Sequence, residues 1–155
     1  MSIEELQDLL VLDSRLNELS RAQSWVEGLA NQIGLSEKAR YAVRLCLEEA
    51  LTNVILHGYK NEPGHPVLIQ YRFSSDMLSF AIEDKAPPFN PVDALSSAIG
   101  PEPASLESLT LGGNGIRLLH QFAGSLTYDL LADGNRLMIG FSGPGLSEPN
   151  STIKQ

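Results

Sequence analysis

Residues 46–59 read Cys-Leu-Glu-Glu-Ala-Leu-Thr-Asn-Val-Ile-Leu-His-Gly-Tyr. Glu49, Asn53 and His57 follow one another at i, i+4 spacing. On an α-helix that spacing puts all three side chains on one face, each about 6 Å along the axis from the last. Their neighbours Leu45, Leu47, Ala50, Leu51, Val54, Ile55 and Leu56 are apolar. A carboxylate, a carboxamide and an imidazole are costly on so apolar a helix unless something satisfies them. Two readings stand side by side: the solvated side of an amphipathic helix, or a polar strip facing a hydrated cation and its anionic ligand.

The formal net charge of −8 on 155 residues argues against a nucleic-acid partner or an anionic membrane, because a phosphate surface rewards a basic protein. It leaves room for a small anion held locally, since exposed charges are screened beyond about 8 Å at physiological salt. Cys46 is the only cysteine, which rules out an intramolecular disulfide and a thiolate metal cluster. It suits a small buried apolar residue. The opening Met-Ser-Ile-Glu-Glu-Leu lacks the basic start of a signal peptide. No apolar run reaches the roughly 18 residues of a membrane helix, so a cytoplasmic protein is expected.

The pattern along the chain predicts a single domain over residues 1–141 and a loose Gly-, Ser-, Pro- and Asn-rich tail over 142–155. Residues 5–12 carry Leu6 and the run Leu9 to Leu12, which fits a strand or a helix. From Asp13 or Ser14 as N-cap, Leu16, Leu19, Val26, Leu29 and Ile33 keep a helical rhythm that ends at Gly34. Ser36 caps a second helix that runs to about His57 and stops at Gly58. Val67, Ile69, Tyr71 and Phe73 alternate on one strand, Ser74-Ser75-Asp76 turns, and Leu78, Phe80 and Ile82 alternate on the return. A long Pro-, Ser- and Gly-rich stretch over 85–114 follows, of a length that is usually functional. A third helix follows Gly115, with Ile116, Leu118, Leu119 and Phe122 as its apolar positions. A last hairpin joins Ser125–Leu131 to Arg136–Phe141 through Asp133-Gly134. Elements in this order predict an α+β two-layer sandwich, a mostly antiparallel sheet with about three helices on one face.

Two further clusters carry chemistry. In Glu83-Asp84-Lys85-Ala86-Pro87-Pro88-Phe89-Asn90-Pro91, Asp84 ends an apolar strand. A carboxylate there can accept from an exocyclic amine and a water, or can simply open a turn. Pro87-Pro88 fixes an extended path, and Phe89 flanks a flat ligand or fills the core. In Leu111-Gly112-Gly113-Asn114-Gly115-Ile116-Arg117, glycines before a helix let backbone N–H groups converge on an anion, or serve as a hinge. The stretch lacks the Lys-Ser/Thr ending of a P-loop and does not follow a strand directly, so neither the P-loop nor the dinucleotide fingerprint applies.

An acid–Asn helix, a strand-end Asp and a Gly-rich helix start, in that order, resemble the GHKL (Bergerat) ATP-binding fold of gyrase and sensor histidine kinases. Within it, Glu-Ala-Leu-Thr-Asn-Val-Ile-Leu-His-Gly-Tyr at 49–59, Asp-x-Ala-Pro-Pro-Phe-Asn-Pro at 84–91 and Gly-Gly-x-Gly-Ile at 112–116 are similar to the anti-sigma-factor serine/threonine kinases of bacterial partner switching. The resemblance spans about residues 10–141. It implies ATP and Mg²⁺ as cofactors, with Asn53 on the metal and Glu49 as general base. It implies that Asp84 receives the adenine amino group, with Ala86 and Phe89 beside it, and that 92–111 form a lid. Gly113, Asn114, Gly115 and Ile116 would supply phosphate-binding amides, and His57 is either structural or a neutral ring lining the pocket. This sequence also departs from the usual strand-end motif: Ala86 and a proline stand where glycines are usual. Gly134-Asn135 stands where Gly-Thr is usual, so Asn135 would replace an adenine-binding hydroxyl. The implied partners are a STAS-domain antagonist phosphorylated on Ser or Thr, a sigma factor or other regulatory target, and a second copy of the chain. A non-catalytic nucleotide-dependent binding module and a histidine-kinase-type domain are the rival readings.

Overall fold

The computed structural model of the chain describes residues 5–91, 119 and 121–142. Alternation with a period of two lays down the central hairpin, β2 (Pro66–Ser74) and β3 (Met77–Asp84), in which Val67, Ile69, Tyr71, Phe73, Leu78, Phe80 and Ile82 are all buried. Ser75 and Asp76 make its two-residue turn with φ of 51° and 63°, the left-handed pair that matches strand twist. The last hairpin, β4 (Ser125–Leu131) and β5 (Gly134–Ser142), adds to β3. The ambiguous first segment is a strand, β1 (Glu5–Asp13), paired to β2. The result is an antiparallel five-stranded sheet in the order β1-β2-β3-β5-β4.

Among the described residues two long helices cover one face: α1 (Leu19–Ile33) and α2 (Glu37–Thr52). Their buried residues Ala22, Val26, Leu29, Val43, Cys46, Leu47 and Leu51 form one cluster with the inward residues of β2, β3 and β5. Trp25 on α1 meets Tyr71 on β2 with ring centroids 4.9 Å apart. Gly34, at φ 73°, ends α1, and its N–H donates to the Ala30 carbonyl. Ser36 Oγ accepts from Ala39 N at 3.1 Å and starts α2. The expected third helix falls mostly outside the described residues. Leu119, Gln121 and Phe122 are helical, and Leu119 is fully buried. The stretches 92–111 and 112–116, and the tail from 143, also lie outside them.

Three local expectations are corrected. Asp13 and Ser14 do not cap α1, which begins after a 3-10 turn (Leu16–Glu18) without a side-chain cap. Their side chains reach instead to the loop before β2. The Asp13 carboxylate accepts from Gly64 N at 3.1 Å, while Ser14 Oγ donates to the Glu62 carbonyl at 2.6 Å and accepts from His65 N at 3.0 Å. The turn of the last hairpin is Ala132-Asp133, and Gly134 is the first residue of β5, paired with Leu131. Gly134 is needed for a close approach: a Cβ there would overlap the Asp84 carbonyl oxygen. Finally, α2 does not continue as an α-helix to His57. From Asn53 to Gly58 the chain forms a π turn, closed by Tyr59 N donating to the Val54 carbonyl at 2.8 Å.

Candidate functional site

The end of α2 and the inner face of the sheet enclose a cleft of about 420 Å³, measured to its open mouth. Ala50, Asn53, Val54 and Gly58 form one wall, and Ile82, Leu137 and Tyr128 the opposite one. The last three belong to one cross-strand row, Ile82↔Leu137 and Leu137↔Tyr128, so the sheet register itself makes that wall flat and largely apolar. Ala86, Pro87, Phe89 and Pro91, just beyond β3, complete the rim. The next inward row supplies the polar end: Asp84 and Asn135 are cross-strand partners, both buried.

Asp84 Oδ1 accepts from Ala86 N at 2.9 Å and from Asn135 Nδ2 at 2.8 Å. Among the described residues Oδ2 receives no hydrogen bond. Burial holds the Asp84 carboxyl above the usual aspartate range, and the two hydrogen bonds oppose that rise. Asn135 Nδ2 also donates to the carbonyls of Ala86 at 3.1 Å and Pro87 at 3.2 Å. Its Oδ1 accepts from Phe89 N at 3.1 Å and from the Tyr128 hydroxyl. Asn135 is therefore fully engaged within the protein and has no donor or acceptor left for a ligand. Across the cleft Asn53 is buried, and its Nδ2 is sealed from solvent without a partner among the described residues. A buried amide left this way is costly, and a polar ligand in the cleft would satisfy it.

Glu49 sits one helical turn before Asn53, half-buried and outside the cleft wall. Burial, with Glu48 as a like-charged neighbour, holds its carboxyl above the usual glutamate range. Glu48 itself is exposed. Cys46, one turn earlier, is fully buried and its thiol is pushed up to about 12, chiefly by burial, so it stays protonated. His57 is exposed and does not line the cleft. The wider π turn rotates it from the place an α-helix would give it, and Gly58 faces the cleft in its stead. There Gly58 lies so near Ala86 that an added Cβ would meet the Ala86 Cβ at 3.0 Å. Tyr59 then ties the turn to the sheet, its hydroxyl donating to the Pro66 carbonyl at 2.8 Å and accepting from Lys85 N at 2.6 Å.

The structure thus brings Asn53, Asp84, Ala86, Phe89 and Asn135 to one cleft, leaves Glu49 beside it and puts His57 outside it. Gly113, Asn114, Gly115 and Ile116 lie outside the described residues. Sequence reasoning missed Tyr128 and Gly58. Tyr128 carries a signal in hindsight: on a strand paired to β5 it faces inward, two residues from the partner of Asn135. Among the described residues no group of three or more His, Cys, Asp or Glu side chains could hold a metal unaided. The donor set fits a hard cation held by one amide oxygen together with the oxygens of an anionic ligand.

A family model for the histidine kinase-like ATPase domain matches residues 12–141. The chain belongs to this family. It is 31% identical over 134 residues to the serine/threonine-protein kinase BtrW of Bordetella bronchiseptica, covering 85% of this chain and 91% of that protein. It is 25% identical over 112 residues to the serine-protein kinase RsbW of Listeria innocua, covering 71% of each. An anti-sigma F factor of Oceanobacillus iheyensis is 31% identical over 84 residues, 54% of this chain and 56% of its own. The five-stranded antiparallel sheet with helices on one face is the α+β architecture consistent with that family. No helix among the described residues is long and apolar enough to cross a membrane.

Proposed function

We propose that this chain is a cytoplasmic, Mg²⁺- and ATP-dependent serine/threonine protein kinase of the anti-sigma type. Its substrate is a small STAS-domain antagonist, and a sigma factor or other regulatory target is the partner exchanged against it. The chain acts as a homodimer. One observation supports the nucleotide reading: a buried amide at Asn53 and a buried carboxylate at Asp84, whose Oδ2 receives no hydrogen bond among the described residues, line the same largely apolar cleft. The slot suits a purine, the free oxygen suits its exocyclic amine, and the Asn53 end suits phosphates with their metal. The kinase names of the relatives support the reaction class.

When bound, Mg²⁺ supplies charge neutralisation on the phosphates, which is most of what phosphoryl transfer asks of a site. Asn53 would hold it through the amide oxygen, beside oxygens of the phosphates and of water. Glu49 then takes the proton of the attacking serine hydroxyl as the new O–P bond forms and ADP leaves. Its raised pKa makes it a better base than an ordinary glutamate. Asp84, Ile82, Leu137 and Phe89 fix the base. Incubation with labelled ATP and a STAS-domain protein of the same organism tests the proposal: label on a serine or threonine of that protein is the expected result. Nucleotide binding with no transfer to any such protein would leave a binding module, and label on histidine a histidine kinase.

A further inference from the structure

We infer that Asn135, oriented by Tyr128, is the positioning residue that makes the end of this cleft select a base carrying an exocyclic amine over one carrying a carbonyl. The inference rests on the nucleotide-binding reading above and goes further, because it puts the selection in an amide that has no free contact to offer the base.

The amide of Asn135 is locked in one orientation from both ends. Nδ2 faces three acceptors, Asp84 Oδ1 and the carbonyls of Ala86 and Pro87. Oδ1 faces two donors, Phe89 N and the Tyr128 hydroxyl. Turning the amide over would set an oxygen against three oxygens and an N–H against an N–H, so the reversed state is strongly disfavoured. The chain of donors therefore runs one way, from Tyr128 to Asn135 to Asp84. Tyr128 has committed its proton and Asp84 Oδ1 is filled from within. Toward the cleft these groups present Asp84 Oδ2 as an acceptor and offer no donor. A ligand edge with an amine pairs with that oxygen, while a carbonyl edge meets it oxygen to oxygen.

Asp84 could not keep this polarity alone. It is buried among Ile82, Ala86 and Leu137, where a carboxyl favours its neutral form, and that form offers an O–H that suits a carbonyl. The Asn135 proton opposes that change. The Ala86 N–H is the other support, but it comes from the residue two along the same turn and would remain in any variant of Asn135. The apolar wall is indifferent to the distinction, because adenine and its 6-oxo analogue bury nearly the same ring surface.

The test compares Mg·ATP with Mg·inosine triphosphate, which carries a carbonyl where adenine has its 6-amino group and an N1–H where adenine has an acceptor nitrogen. Affinities of the chain are measured by titration calorimetry for the wild type, Asn135→Leu and Tyr128→Phe. The wild type is expected to prefer ATP at least about tenfold, the size of one lost hydrogen bond with an unpaired polar group left behind. Asn135→Leu should bring the ratio to about one, and Tyr128→Phe should lower it about threefold, because Phe89 N still holds Oδ1. A merely structural role would weaken both nucleotides alike, so an unchanged ratio in both variants overturns the inference whatever happens to the affinities. If Asn135→Leu does not fold, the Tyr128→Phe ratio alone decides in the same way. A wild type that binds both nucleotides equally overturns the inference and leaves the nucleotide reading standing. A wild type that binds neither overturns both.

Discussion

Asp84 and Glu49 are two carboxyls pushed in the same direction by burial, with different consequences. For Asp84 the folded pKa lies above the unfolded one. Between those two values the native state binds more protons, so stability falls as pH rises through the window and the charge remains a cost at neutral pH. Asp84→Asn keeps an acceptor for Ala86 N and Asn135 Nδ2 while removing that charge. The free protein should gain on the order of 1 kcal/mol in urea denaturation. The same substitution turns an N–H toward the cleft, so affinity for Mg·ATP should fall at least about tenfold. Glu49 does not line the cleft, so Glu49→Gln should bind Mg·ATP as the wild type does while phosphotransfer drops about 10²–10⁴-fold. Exposed Glu48, about 100° round the helix, should tolerate the same change with little effect in that assay. Because a base must be deprotonated and Glu49 is shifted upward, the acid limb of the wild-type rate profile should lie above the value of about 4.3 for a free glutamate.

The π turn from Asn53 to Gly58 is the element that shapes the cleft, and its fit against the strand-end loop is tight. A methyl group at Gly58 would press on the Ala86 Cβ. Gly58→Ala should cost about 1–3 kcal/mol in equilibrium unfolding. Ala86→Gly introduced with it should recover part of that loss, with a coupling of about 0.5 kcal/mol or more in the double-mutant cycle. None of this was legible in the sequence, where Glu49, Asn53 and His57 at i, i+4 spacing between Ser36 and Gly58 read as α-helix through to His57. What was legible at this scale had strict local periodicity. The β2–β3 hairpin declared every inward residue, since its alternation is interrupted only by Ser75-Asp76. β1 stayed ambiguous because Leu9 and Val11 are apolar on its open side, 51% and 48% exposed, which erases the alternation. Asp13 and Ser14 looked like helix caps because the same side chains that cap can also accept from a loop about fifty residues away, and nothing local separates the two.

At the scale of the whole molecule, ligand and fold are linked, because the cleft joins α2 to β3 and β5. Saturation with Mg·ATP at about a hundred times its Kd should add about 2.7 kcal/mol to stability. For a domain of this size that is roughly 5–10 °C in Tm. Asn53→Ala should abolish the Mg²⁺-dependent part of the shift, measured with and without a chelator. Asn53 and Asp84 could be read from the sequence because each carries a local pattern, a helical spacing and a strand end. The support around Asp84 could not, because it is assembled from residues 84–89, Tyr128 and Asn135, brought together by sheet register alone. That support also bears on inhibitor chemistry. Since Asn135 is saturated from within, Asp84 Oδ2 is the acceptor that the described residues leave for a compound aimed at this end of the cleft. The best scaffolds should then be flat heteroaromatics with a single amino donor, and a second polar substituent pointed at Asn135 would be buried without a partner and would weaken binding.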